Sequence, residues 1–232
     1  RKALVSNMDN FIDIICKETG KKYEEGLTEI LTSVDYMKYA TKIVSKALRP
    51  EKRKTGILFN KKASVHYEPY GVAGIISPWN YPLILTVTPI SEAILAGNTV
   101  VLKPSEQTSL TVKLLKEVWN QSTKEPDLFQ VIYGAGDVGN ALVSSDKTDV
   151  ICFTGSTQIG QKIAETCASL LKPVILELGG KDPLIVMKDA NMNRAADAAI
   201  WGGMSNAGQT CTSVEKIYVE ESKKVNFIDL LK

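Results

Sequence analysis

The sequence predicts an α/β fold, a parallel sheet with helices on both faces. Three observations carry this. From Gly71 onward, short unbroken runs rich in valine, isoleucine and leucine alternate with amphipathic segments, the pattern of strands buried on both sides. One run is followed by Gly134-Ala135-Gly136-Asp137-Val138-Gly139, a GxGxxG turn that opens a helical segment and makes the sheet Rossmann-like. Four polar motifs stand at the C-terminal ends of runs, the edge where open α/β sheets hold ligands.

In chain order, Leu4, Val5, Met8, Phe11, Ile12 and Ile15 recur at helical spacing and predict a first helix. Leu27 to Leu48 reads as a second, with Leu27, Ile30, Leu31, Val34 and Met37 on one stripe, ended by Arg49-Pro50. Gly56–Phe59, the polar Asn60-Lys61-Lys62 and Ala63–Tyr67 read as strand, turn and strand, a hairpin. Strands are expected at 72–76, 99–102, 128–133, 149–153, 174–178 and 184–187, and helices at 88–96, 109–120, 138–144, 158–170 and 193–204. No repeat and no low-complexity linker interrupts them. Arg1 is not a start methionine, and the apolar run at Val225–Leu231 stops without an exit signal, so the chain is expected to be a piece of a longer protein.

Composition removes several classes. With 44% hydrophobic and 23% charged residues the chain has an ordinary globular makeup, which excludes disorder. Its 28 basic and 26 acidic residues are too balanced for a nucleic-acid or anionic-membrane binder. The single histidine, His66, lies in an alternating strand-like stretch, so histidine-based metal or triad chemistry is not expected. Cys16, Cys152, Cys167 and Cys211 have no CxxC spacing and no disulfide pattern, which fits a reducing, cytoplasmic setting with free thiols. The most apolar stretch, 71–90, carries Pro78, Pro82, Pro89 and Asn80 and does not read as a membrane helix.

The chemistry-bearing motifs are Pro78-Trp79-Asn80-Tyr81-Pro82, Lys103-Pro104-Ser105-Glu106, Phe153-Thr154-Gly155-Ser156-Thr157, Glu177-Leu178-Gly179-Gly180-Lys181 and Gly208-Gln209-Thr210-Cys211. GxGxxG alone is a weak signal, and the acidic residue that usually grips a ribose some 20 residues later is missing, so another group must serve. Cys211 lies in a Gly/Ser/Asn-rich turn at a helix end, where a thiol is open to reaction. Cys152 and Cys167, inside a strand and on a helix stripe, read as small buried hydrophobes.

In the order and spacing of these five motifs the whole chain resembles the N-terminal portion of the aldehyde dehydrogenase superfamily. The resemblance implies oxidation of an aldehyde to the carboxylic acid with NAD as hydride acceptor, through a cysteine thiohemiacetal and thioester. It makes Cys211 the nucleophile, Asn80 an oxyanion donor and Glu177 the general base for deacylation. Relatives that pass the acyl group to coenzyme A generally lack that glutamate, so a free acid is expected. Cofactor contacts carry over to Ile76, Ser77, Pro78, Trp79, Lys103, Ser105, Glu106, Gly136, Gly139, Phe153, Thr154, Gly155, Ser156, Ile159, Leu178 and Gly179. Lys103 and Glu106 take the adenosine ribose, which favours NAD over NADP; no metal is implied. Residues 1–50 and 70–179 correspond to the dinucleotide-binding domain, 51–69 to an oligomerisation hairpin of a homodimer or homotetramer, and 180–232 to the start of the catalytic domain. Two departures stand out. The 134–139 turn is one residue shorter than in many members, and the Glu-x-Phe motif and most of the aldehyde tunnel fall beyond Lys232. The rival readings are a non-catalytic dinucleotide-binding or structural relative, and a piece inactive alone.

Overall fold

A computed structural model describes residues 1–232. The sheet is built from β3 (Val72–Ile76), β4 (Thr99–Lys103), β5 (Phe129–Val131), β6 (Val150–Gly155) and β7 (Val174–Leu178); the hairpin holds β1 (Glu51–Arg53) and β2 (Ala63–Val65). All five sheet strands are parallel, in the order β5-β4-β3-β6-β7. Right-handed crossovers of this kind place helices on both faces. Helices α4 (Ile84–Leu95) and α5 (Ser109–Ser122) cover one face, around Ile75, Val100, Leu102 and Phe129. Helices α6 (Gly136–Ser144) and α7 (Thr157–Ser169) cover the other, around Ile76, Ile151 and Phe153. Gly74 keeps the central strands close, because a Cβ there would come within 2.8 Å of the Ile151 side chain.

The N-terminal helices pack outside α4 and α5, with Phe11, Ile12, Ile15 and Ile30 meeting Leu83, Val87 and Val118. The expected first helix is two, α1 (Lys2–Ser6) and α2 (Met8–Thr19), with Asn7 between them donating its side-chain amide back to the Ala3 carbonyl. The second is α3 (Tyr23–Ala47), whose buried side runs through Gly26, Glu29, Ile30, Ser33 and Ala40 and leaves Leu31 exposed. A carboxylate sits on that buried stripe for a reason given below.

The hairpin is real but its first strand is displaced. Glu51 pairs with Val65 and Arg53 with Ala63, and the expected strand 56–59 lies in the connection. Gly56 takes a φ of +61°, which breaks the extended chain, and Ile57 and Phe59 find nothing to pack on, being 91% and 94% exposed. Helix α4 starts four residues before the expected Thr88, because the Glu29 carboxylate accepts from the backbone N–H groups of Leu83 and Ile84 and caps it from a distance. Beyond Gly179, β8 (Asp182–Val186) and β9 (Val214–Val219) form a parallel pair across α8 (Met192–Met204), closed by α9 (Lys224–Leu230) through Phe227. β9 and α9 were not read as separate elements, since β9 is exposed at four of its six positions and lacks the apolar run that marks the others.

Candidate active site

The strand order sets the place. From β3 the chain winds outward through β4 to β5, then returns to lay β6 on the opposite side of β3. Neighbouring connections therefore leave the sheet in opposite directions at the C-terminal ends of β3 and β6, and a crevice opens there. On the α4 side it widens to a cleft of about 630 Å³, because no helix covers β6 and β7 on that face. One wall is α4, through Leu85, Thr88 and Glu92; the opposite wall is Cys152, Thr154, Ile175 and Glu177. On β7 the period of two turns Ile175 and Glu177 outward and Val174, Leu176 and Leu178 toward α7.

The third wall is the Gly208–Cys211 turn. Past α8, Asn206, Ala207 and Gly208 all take left-handed φ, at 58°, 56° and 73°. Two of the three are not glycine, and such backbone persists only where its surroundings fix it. Here they do. The Asn206 N–H donates to the Glu25 carboxylate at 2.6 Å, and the Asn206 side-chain amide donates to the carbonyls of Asn80 and Gln209 at 3.0 and 3.1 Å. The Gln209 amide reaches the Thr19 carbonyl at 3.1 Å, and the hydroxyls of Tyr81 and Thr210 meet at 3.0 Å. Cys211 follows this anchored stretch and stands exposed in the cleft. Asn80 also lines the cleft; one N–H of its amide donates to the Gln209 carbonyl at 2.8 Å, and the amide's second N–H has no protein acceptor. Three distant segments thus bring Asn80, Glu177 and Cys211 to one cavity.

The residues expected to hold a cofactor fall into two groups along the same sheet edge. Pro78, Trp79, Thr154, Gly155, Ser156, Leu178 and Gly179 line the cleft with the three above. On the α6 face, Lys103 is buried, its ammonium donating to the carbonyls of Pro104 and Gly134 at 2.7 and 2.9 Å, while the exposed Glu106 carboxylate lies 3.6 Å away. Gly139 packs beside that lysine, and a Cβ there would make only ordinary contact with the Lys103 stem and Ile76. Gly136 opens α6 with free space around it, whereas a Cβ on Gly155 would strike the Phe153 ring. Ser156 caps α7 by accepting from the Ile159 N–H, and Ser105 accepts from the Gln107 N–H in the same way. Ile159 and Trp79 leave apolar surface exposed beside these caps. Ile76, Ser77 and Phe153 do not reach the cleft as side chains. Ile76 and Phe153 belong to the core, and the buried Ser77 hydroxyl accepts from Thr86 of α4.

The aldehyde dehydrogenase family model matches residues 1–232, the whole chain. The chain belongs to the aldehyde dehydrogenase family. It is 37% identical over 234 residues to a 4,4'-diapolycopene aldehyde oxidase of Methylomonas, covering 100% of this chain and 44% of that protein. Over 224 residues it is 40% identical to a putative NADP-dependent succinate-semialdehyde dehydrogenase of Mycolicibacterium smegmatis, covering 96% of this chain and 43% of that one. Among solved structures, an NAD-dependent aldehyde dehydrogenase from Sinorhizobium meliloti matches with a TM-score of 0.91 at 36% identity, over 98% of this chain and 45% of that chain. The chain spans less than half the length of the aldehyde dehydrogenases it resembles, and their names divide between the two nicotinamide cofactors. No helix is long and apolar enough to cross a membrane.

Sequence reasoning missed Lys21, Glu29 and Asn206, which hold the site from behind. The available signals were slight: a lysine directly after the Gly20 helix stop, and a glutamate at a buried position of α3.

Proposed function

We propose that this chain is the cofactor-binding part and the nucleophile-bearing segment of an NAD-dependent aldehyde dehydrogenase that releases a free carboxylic acid. The observation that carries the reading is the meeting of Cys211, Asn80 and Glu177 in one cleft at the switch point of a doubly wound sheet. The sheet edge suits a dinucleotide. Free space at Gly136, the helix starts of α6 and α7, and exposed apolar surface at Trp79 and Ile159 suit a pyrophosphate and flat rings. Glu106, exposed beside Lys103, would accept from ribose hydroxyls and repel a 2′-phosphate, which supports NAD over NADP. When bound, the nicotinamide supplies the acceptor for a hydride.

The chain's own residues supply the rest. Cys211, once its proton has left, bonds through Sγ to the aldehyde carbon, and the carbonyl electron pair moves onto oxygen. That oxyanion takes the free N–H of Asn80. After oxidation the carbon is a thioester. Glu177 takes a proton from water as the water oxygen bonds to that carbon; the C–S bond breaks and its electron pair returns to Cys211. The hairpin at 51–69, with Ile57 and Phe59 bare, is the proposed contact between subunits, and residues 180–232 begin the second domain.

Glu177→Gln in the full-length protein tests this. Glutamine keeps the shape and cannot take the proton, so acylation survives and deacylation fails. Mixing enzyme, NAD and aldehyde should give a burst of NADH approaching one equivalent per subunit, then a steady rate lower by roughly 10²–10⁴. Loss of the burst would place Glu177 before the thioester. An unchanged steady rate would remove it from the mechanism.

A further inference from the structure

Behind the cleft lies an ion pair with no access to solvent. The Lys21 ammonium and the Glu29 carboxylate meet at 2.8 Å, and both side chains are 0% exposed. A pair of apolar side chains of the same volume stabilises a core as well or better, so burial alone gives no reason for these charges. What charges add is direction. Lys21 also donates to the Asn80 carbonyl at 2.9 Å and lies 4.5 Å from the centre of the Tyr81 ring, so its contacts fall on the two residues at the heart of the motif. The other oxygen of Glu29 accepts from the N–H groups of Leu83 and Ile84 at 2.7 and 3.1 Å. The segment from Asn80 to Ile84 is thus gripped at both ends by one pair.

The grip continues to the nucleophile. The Asn80 carbonyl takes a second donor, the Asn206 amide, which is shared with the Gln209 carbonyl, and the Gln209 carbonyl also receives the Asn80 amide. The Asn80 peptide therefore lies between Lys21 on one side and the turn that carries Cys211 on the other.

We propose that Lys21, braced by Glu29, and Asn206 are positioning residues that fix the Asn80 amide relative to Cys211. The proposal rests on the reading of Asn80 as oxyanion donor and Cys211 as nucleophile. An amide misplaced by a fraction of an ångström still binds aldehyde but loses its contact with the developing oxyanion, so the loss falls on kcat and not on KM.

The test uses the full-length protein. Lys21→Met alone strands the Glu29 charge, so the informative variant is Lys21→Met/Glu29→Gln, in which glutamine still accepts from Leu83 and Ile84 and no buried charge is left. A second variant, Asn206→Gly, suits the left-handed φ of 58° and removes the buried Asn206 side-chain oxygen, which has no hydrogen-bond partner. Each should melt cooperatively and bind NAD as the wild type does, with kcat lower by roughly 10- to 100-fold and KM little changed. In an Asn80→Ala background Lys21→Met/Glu29→Gln should cost almost nothing more, because the amide that the pair positions is gone. Equal losses with and without Asn80, or a wild-type kcat in either folded variant, would overturn the proposal alone. A wild-type rate in Asn80→Ala itself would overturn the reading of Asn80, and the proposal with it.

Discussion

Two thiols face the same cleft, and their surroundings differ. Cys152 sits within β6, in register between Ile75 and Ile175 of the flanking strands. Burial first, then the nearby Glu92 and Glu177 carboxylates, push its thiol up to about 11. Cys211 sits on a turn, exposed, held only through the backbone before it. A strand pairs both flanks of a residue and offers its side chain a packed face; a turn anchored at its base leaves the side chain free. The difference teaches that lining a cleft is not enough to make a nucleophile. The thiol must also be reached, and it must be able to ionise.

The sharpest break of that comparison is by deletion in the full-length protein. Cys211→Ala should abolish aldehyde oxidation, a loss of at least roughly 10⁴-fold, while NAD binding is kept. Cys152→Ala should keep a rate within a few-fold of wild type. Reversed outcomes in a steady-state assay would exchange the two roles. A second, smaller contrast is chemical. At pH 8 a thiol with a value near 11 is ionised at about one part in 10³, so an alkylating reagent should label Cys211 at least about tenfold faster than Cys152. Peptide mapping over a time course reads this directly, and equal labelling rates would sink the contrast.

The same contrast separates what the sequence made legible from what it did not. The central strands of the sheet are readable because burial on both faces leaves unbroken apolar runs, as in Val72–Ile76. The motifs at their C-terminal ends were readable because residue type and spacing alone mark them. The strand expected at 56–59 failed for the converse reason: an apolar run is not a strand without a surface to cover, and Gly56 turns the chain there. Nor did spacing show that Asn206, Gln209 and Lys21 converge on one peptide of Asn80. Those contacts join residues up to 129 positions apart, and single polar contacts have no periodicity to announce them. The early start of α4 was hidden likewise, since its cap comes from Glu29 on another helix.

The smallest expected effect concerns stability and sharpens the picture of Cys152. Its folded value, about 11, lies above the ordinary value of 9, so the folded state holds the proton where the unfolded state has lost it. The unfolded state therefore binds fewer protons between pH 9 and 11, and the stability that the neutral thiol contributes is present below about 9 and lost as pH rises through that window. Lysines and tyrosines titrate in the same range, so the wild type alone does not isolate this contribution. The difference between wild type and Cys152→Ala does. Below pH 9 the wild type should be more stable by about 1 kcal/mol, because the thiol fills space beside Ile75 and Val150. By pH 11 that advantage should shrink to zero or change sign, read as converging melting temperatures. A gap that stays constant from pH 7 to 11 would mean that Cys152 ionises as freely in the fold as outside it, and the distinction between the two thiols would then rest on reach alone.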